Sequence, residues 1–243
     1  MTAPSSMAVL FDLDDTLINY SSAAAKERES VHRLVRPHLP ADAMDGFWER
    51  YEGHLARHHV EVDTGRATVA DYRESRLRHA LEPWGKPSPA LAAAVALCAD
   101  MTAARVELHA GVNEVLGSLR EAGVRLGIIT NGPGSIQNAK CARLGLAAAV
   151  DTVVTSQDAG RTKPDAAVFH MALDRLATSP DRCVVVGDSW ENDVLGAIRA
   201  GVGAAVHIRR PGTPARTADG VLGQLPRVDR ELLELLEVRR GGN

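Results

Sequence analysis

Aromatic side chains make up only 4% of this 243-residue chain: three Phe, three Tyr and three Trp. A core so poor in large rings has to be filled by Ala, Val and Leu. Cysteine is scarce as well. Cys98, Cys141 and Cys183 form no CxxC pair, and an odd count argues against a disulfide framework, so buried free thiols in a reducing compartment are expected. No charge of one sign dominates either. Lys and Arg number 28 against 31 Asp and Glu, and the pI is about 6.3, which gives no electrostatic case for nucleic acid or an anionic membrane. The longest apolar run, Leu91 to Ala99, stops at Asp100 and is too short to span a bilayer. Met1 to Met7 hold neither the basic nor the apolar segment of a secretory signal, so the chain is expected to be cytoplasmic. No P-loop lysine motif is present to suggest an ATP site.

What is present is a change of texture along the chain. Val9-Leu10-Phe11 reads as a short strand. Residues 20 to about 108 contain no convincing strand and read as helices over Ser21–Val35, Asp42–His59, Thr68–Leu81 and Pro89–Ala104, punctuated by Pro37, Pro40, Gly65, Pro83 and Gly85. From Gly111 onward strands and helices alternate. Strands are expected at Val124–Thr130, Val150–Thr155, Arg182–Gly187 and Gly203–Ile208. The helices expected with them are Val112–Ala122, Ser135–Leu144, Ala166–Ala177, Glu191–Ala200 and Asp229–Val238. Such alternation implies an α/β fold, a Rossmann-like parallel sheet flanked by helices. The first strand has to join that sheet, because it cannot stand alone. The helical region is then an insert after the first strand, a cap over residues 19–108, with 1–18 and 109–243 forming the core.

Carboxylates sit where these strands end. Asp12 and Asp14 follow the first strand, and Asp188 and Asp193 follow Val184-Val185-Val186-Gly187. Strands disfavour Asp, and in open parallel sheets ligands bind beyond the carboxyl ends of the strands. Clustered carboxylates repel one another unless a cation lies among them, and an oxygen-rich set with no Cys or His suits a hard ion such as Mg²⁺. Thr130-Asn131 ends another strand at the same edge.

Asp12-x-Asp14-x-Thr16, Thr130 after Leu126-Gly127-Ile128-Ile129, Lys163-Pro164, and Gly187-Asp188-Ser189-x-x-Asn192-Asp193 occur in that order. This pattern resembles the haloacid dehalogenase-like (HAD) hydrolase superfamily over residues 8 to 240. Thr130-Asn131-Gly132 with Gln137, Lys140 and Gly145-Leu146 further resembles the capped branch that holds 5′-nucleotidases and acylneuraminate 9-phosphatases. The resemblance implies a Mg²⁺-dependent phosphatase that works through an aspartyl-phosphate. Asp12 is then the nucleophile and Asp14 the acid and base, while Thr130 and Lys163 hold the phosphoryl oxygens. It also implies Mg²⁺ on the Asp12 carboxylate, the Asp14 main-chain carbonyl and Asp188, with Asp193 orienting a metal-bound water or Lys163. Main-chain N–H groups of Leu13 and Asn131 are further phosphate donors. Superfamily members that displace halide lack an acid at the position of Asp14, so the resemblance favours phosphoryl chemistry.

Other readings stand beside these. Asp12 and Asp14 could mark an ordinary surface turn, Thr130 a helix-capping hydroxyl, Lys163 a solvated loop lysine and Asp193 a first-turn acid. His54, His58 and His59 have helical metal-pair spacing but no acidic partner at metalloprotease spacing, which suits a packed or solvated helix face better. Trp190 is expected to pack. A mutase that passes the phosphoryl group to a second hydroxyl, or a binding protein without turnover, would share the same motifs. The expected partner is a small phosphorylated metabolite, with Arg66, Tyr72 and Arg76 of the insert as candidate contacts to its leaving group.

Overall fold

The computed structural model of the chain describes residues 7–210 and 212–241, the last four of these by their backbone alone. Its centre is a six-stranded sheet made of β1 (Ala8–Phe11), β2 (Arg125–Thr130), β3 (Thr152–Thr155), β4 (Cys183–Gly187), β5 (Ala204–Ile208) and β6 (Val221–Leu225), in the order β3-β2-β1-β4-β5-β6. Every pairing is parallel. Successive residues of a strand face opposite sides, so a sheet covered on both faces needs apolar residues at every position. β1 shows this. Val9 and Phe11 join one buried cluster with Leu126, Ile128, Val184 and Val186, while Ala8 and Leu10 join another with Ile129 and Val185. Helix α5 (Val112–Glu121) and the C-terminal α11 (Arg230–Gly241) cover the first face. α9 (Ala166–Arg175) covers the second through Val168, Phe169, Ala172 and Leu173. Three short or irregular helices fill the links: α7 (Leu146–Ala149), α8 (Ser156–Ala159) and α10 (Gly196–Arg199).

Two features depart from the sequence expectation. β6 was not anticipated. It is half-buried at all five positions, carries Gly223 and Gln224 in its middle, and joins β5 across a register shift between Ala205 and Val206, so it has no continuous apolar run to announce it. The helix expected over Glu191–Ala200 opens as a wide π-turn at Trp190–Leu195 before α10 begins. The wide turn leaves Ser189 Oγ accepting from Asn192 N at 3.2 Å and Asp193 Oδ2 accepting from Ser189 N at 2.9 Å. Such turns recur at functional sites. Cys141 and Cys183 are buried, Cys98 is half-buried, and none of the three is in a disulfide.

Between β1 and α5 lie four α-helices, α1 (Tyr20–Val35), α2 (Met44–Asp63), α3 (Val69–Leu81) and α4 (Pro89–Arg105). Two of their starts are set by side-chain caps: Thr68 accepts from Asp71 N and Ser88 from Leu91 N. α1 packs on α4, and α2 packs on α3. Together they bury their own cluster around Val31, Val35, Phe47, Trp48, Tyr51, Leu77, Leu81, Leu91 and Val95. The chain enters and leaves this region side by side. Ile18 pairs with Leu108, Asn19 N donates to Glu107 O at 3.0 Å, and Glu107 N donates to Asn19 Oδ1 at 2.9 Å. Among the described residues no helix is long and apolar enough to cross a membrane.

Phe169 is fully buried between the second sheet face and Gly196 of α10. Phe169→Ala is expected to lower unfolding free energy by about 3–5 kcal/mol, the range for a buried aromatic truncated in a packed core, measured by urea denaturation.

Candidate active site

Parallel register brings three strand ends to one edge. Phe11 is level with Ile128 of β2 and Val186 of β4, and Asp12 N continues the ladder to Val186 O at 2.9 Å. The next side chains therefore converge over the end of the sheet. A small hollow of about 130 Å³ there is lined by Asp12, Asp14, Thr130, Asn131, Lys163, Asp188, Ser189, Asn192 and Asp193. The sequence motifs, far apart along the chain, thus meet at one place.

Lys163 is the pin of this hollow. Its ammonium is buried and donates to Asp12 Oδ1 at 2.7 Å, Asp193 Oδ1 at 2.6 Å and the carbonyl of Ile129 at 2.9 Å. All three of its donors are used. Asn131 holds the Lys163 backbone: its Oδ1 accepts from Lys163 N at 2.7 Å and its Nδ2 donates to Lys163 O at 3.0 Å. Sequence reasoning proposed Asn131 for its main-chain N–H; the side-chain clamp is an added role. Gly187 makes room for this arrangement, because a Cβ there would fall on the Asp193 side chain. Thr130 is buried, with its hydroxyl donating to Asn131 O at 3.3 Å. Leu13 buries its side chain in the core, and its carbonyl accepts from Leu17 N and Ile18 N in the turn after β1.

The charges in the hollow do not balance among themselves. Burial drives the Asp12 carboxyl well above its ordinary range, and Asp193 and Asp188 push it further against the opposing pull of Lys163. Burial also raises Asp188, to about 6, with Asp193 adding to it and Arg210 opposing. Lys163 is raised, although burial alone would lower it, because Asp12 and Asp193 favour its charged form. Asp12 Oδ2 is buried with no hydrogen-bond partner, and carboxylate oxygens of Asp12, Asp188 and Asp193 lie within 4.8 Å of one another. An orphaned anionic oxygen in an all-oxygen donor set fits a hard divalent cation. The set differs from expectation in one respect: Asp193 belongs to the cluster as well as contacting Lys163.

Asp14 stands at the rim. Its carboxylate turns away from the other acids and accepts from Lys140 Nζ at 2.8 and 3.0 Å and from Gln137 Nε2 at 2.8 Å. Beyond it opens a second cavity of about 300 Å³, between the helical insert and α6 (Gly134–Arg143), which Asp14 and Asn131 also line. Tyr72 and Arg76 line this cavity. Tyr72 has a buried hydroxyl without a partner, whereas the Arg76 guanidinium lies 3.6 Å over the Tyr51 ring and donates to Tyr51 O at 2.9 Å. Arg66 is not brought to the site. It is exposed in the turn between α2 and α3, where its N–H closes the turn onto Glu61 O. Tyr20, Tyr51, Glu27, Asp63, Gln137 and Lys140 are cavity residues that helical spacing alone did not single out as contacts.

The remaining candidates settle into packing. His54 is buried, with its ring centroid 4.5 Å from that of His58 and 5.4 Å from that of His79. Burial, then His58 and His79, hold His54 down to about 4, so it stays neutral at pH 7. Trp190 packs at 5.3 Å against His207. Arg210 was not foreseen: its guanidinium bridges Asp188 and Asp15, each at 2.7 Å.

The profile of the haloacid dehalogenase-like hydrolases matches residues 7–201, which contain every residue of the hollow. The chain belongs to this family. Among HAD hydrolases, a ribulose-1,5-bisphosphate 5-phosphatase of Halopiger xanaduensis is 37% identical over 205 residues, covering 80% of this chain and 82% of that protein. A glyceraldehyde 3-phosphate phosphatase of Methanopyrus kandleri is 35% identical over 209 residues, covering 84% of each. A solved 2-haloacid dehalogenase from Pseudomonas syringae pv. Tomato DC3000 superposes with a TM-score of 0.71 at 27% identity, covering 96% of this chain and 99% of that one.

Gly187→Ala should push Asp193 off Lys163. The expected cost is about 1–3 kcal/mol of stability, as for overpacking a filled core, read as a lower urea midpoint.

Proposed function

We propose that this HAD hydrolase is a Mg²⁺-dependent phosphatase acting on a small, soluble phosphomonoester through an aspartyl-phosphate on Asp12. The observation that carries the reading is the place of Asp14, at the junction of the 130 Å³ hollow and the 300 Å³ cavity. A substrate with its phosphoryl group in the hollow and its organic part in the cavity has its bridging oxygen beside that carboxylate. Halide would leave without a proton, so an acid at this point serves an alkoxide. That favours phosphoryl chemistry over the reaction named for the solved dehalogenase neighbour, and it agrees with the phosphatase names of the two relatives.

Each residue then has a physical task. Asp12 attacks phosphorus, splitting one hard displacement into two. Lys163, already fixed between Asp12 and Asp193, offers a preorganised positive charge where negative charge gathers on the phosphoryl oxygens. Thr130 and the main-chain N–H groups of Leu13 and Asn131 are further donors to those oxygens. Asp14 gives a proton to the departing oxygen and later takes one from water. The Asp12 carboxylate, the Asp14 main-chain carbonyl and Asp188 would hold Mg²⁺, with Asp193 beside them, and the ion when bound would offset the charge of the clustered carboxylates and the phosphoryl group.

The helices of residues 19–108 act as a cap in this reading, closing the cavity over the leaving group and shielding the charges below. The cavity matches the lower end of small-molecule sites, which run from about 300 Å³. All three tyrosines of the chain line it, together with Glu27 and Asp63, a set of hydroxyls and carboxylates suited to hydrogen-bonding a polyhydroxylated leaving group. A sugar phosphate is therefore the favoured substrate class.

A panel of phosphorylated metabolites with Mg²⁺, assayed for released phosphate, tests the reading, and sugar phosphates should be among the best substrates. Preference for a folded phosphoprotein would overturn the covered-site account. Asp12→Asn should abolish turnover with the fold retained by circular dichroism, and EDTA should remove activity that added Mg²⁺ restores. Full activity in a metal-stripped sample would overturn the cation assignment.

A further inference from the structure

Asp14 lacks the support that burial gives Asp12; its side chain is 24% exposed at the mouth of the hollow. Its direction is set from outside, by two residues of α6. Gln137 and Lys140 lie three apart on one face of that helix and are both buried. Lys140 Nζ reaches both Asp14 oxygens, at 2.8 and 3.0 Å, and sits 4.4 Å from the centre of the Tyr20 ring. The aromatic face and the carboxylate leave the ammonium little room to move.

Gln137 is the more unusual of the two. Its single side-chain nitrogen lies 2.8 Å from Asp14 Oδ2, 2.6 Å from Thr130 Oγ1 and 2.9 Å from Asn131 O. An amide nitrogen has two hydrogens to give. Three acceptors compete for them, so a change at one acceptor redistributes the bonds to the others. Thr130 and Asn131 belong to the phosphoryl end of the hollow, and Asp14 belongs to the leaving-group end. Gln137 therefore ties the two ends together through one nitrogen.

We infer that Lys140 and Gln137 are the positioning residues of Asp14, aiming its carboxyl at the bridging oxygen when the phosphoryl group is seated against Thr130. The inference rests on the phosphatase reading above. In the first displacement the Asp12–phosphorus bond forms while the bond from phosphorus to the bridging oxygen breaks. The electron pair leaves with that oxygen, which takes the proton of Asp14. In the second, Asp14 takes a proton from water as the water oxygen bonds to phosphorus, and the electron pair of the Asp12–phosphorus bond returns to Asp12. Both transfers need the Asp14 oxygens within hydrogen-bond reach of a moving oxygen. Lys140 acts through Asp14, Gln137 through Asp14 and Thr130, and neither touches a reacting atom.

The test compares two esters that differ in their need for that proton. Glycerol 3-phosphate releases a basic alkoxide, whereas p-nitrophenyl phosphate releases a stabilised phenolate that can leave unprotonated. The ratio kcat/KM covers the first displacement and leaves out the second. Lys140→Met is expected to lower kcat/KM for glycerol 3-phosphate about 100-fold or more, the scale of general acid help, and for p-nitrophenyl phosphate by less than about tenfold. On an Asp14→Asn background the same change should cost less than about twofold, since residues acting through one group are not additive. Gln137→Leu keeps the ion pair but also removes the bond to Thr130, so it should cost both esters, with the loss on glycerol 3-phosphate at least about tenfold the greater, and serves if Lys140→Met does not fold. A loss that falls equally on the two esters, or that persists in full on the Asp14→Asn background, overturns the assignment. So does the absence of any loss on glycerol 3-phosphate. A wild-type enzyme that hydrolyses neither ester nor any metabolite would instead strike the phosphatase reading, and the positioning role with it.

Discussion

One buried ammonium holds the working end of this protein together. Lys163 collects a side chain from the end of β1, another from the π-turn after β4, and a carbonyl from β2. A buried charge is costly unless its partners satisfy it, and removing one partner costs more than the bond itself, because the remainder is left uncompensated. Sheet order is what makes the meeting possible: β1 runs between β2 and β4. The need to seat this lysine explains features that look incidental in isolation. Gly187 has no side chain because Asp193 occupies that space, and Asn131 spends its amide on the Lys163 backbone.

Much of this was legible in the sequence, and for a physical reason. A parallel sheet buried on both faces writes its strands as plain apolar runs, so the polar residues that end them stand out, as Asp12, Thr130 and Asp188 do. β6 was missed because an edge strand that is only half-buried, with Gly223 and Gln224 inside it, carries no such run. The π-turn was read as ordinary helix because backbone width leaves no mark on composition. Arg66 lies outside the lining of the cavity, and the number of residues between two helices does not say which way their connecting turn faces. Lys140 and Gln137 were visible as residue types, but that both converge on Asp14 depends on how α6 is set against β1, which no local pattern records. Arg210 lies across from Asp15 and Asp188 only through tertiary packing.

Scarcity of aromatics, noted first as a limitation on the core, turns out to be a division of labour. The sheet faces are filled mostly by aliphatic residues, with Phe11 and Phe169 as buried rings and Tyr20 and Trp190 packed at their margins. Phe47, Trp48 and Tyr51 stack against one another in the insert, and Trp84 packs beside them. Tyr51 and Tyr72 carry that aromatic character into the cavity wall, and Tyr20 meets it from the start of α1. In the proposed phosphatase reading, the reacting groups lie in the core and much of the wall around the organic group comes from the insert.

The position of β1 has a consequence for how the chain is made. This strand leaves the ribosome before its sheet partners and lies in the interior of the sheet, and its two neighbours begin at Arg125 and Cys183. Neither pairing can form before those residues have been synthesised. The four helices that follow β1 bury their own cluster through contacts among themselves, which close far shorter loops. The nascent protein therefore carries a short apolar segment, tipped with Asp12, that stays without its sheet partners until more than a hundred further residues have been made. Val9, Leu10 and Phe11 are an exposed adhesive surface until β4 arrives, and keeping that strand to four residues limits how much of it there is to misplace.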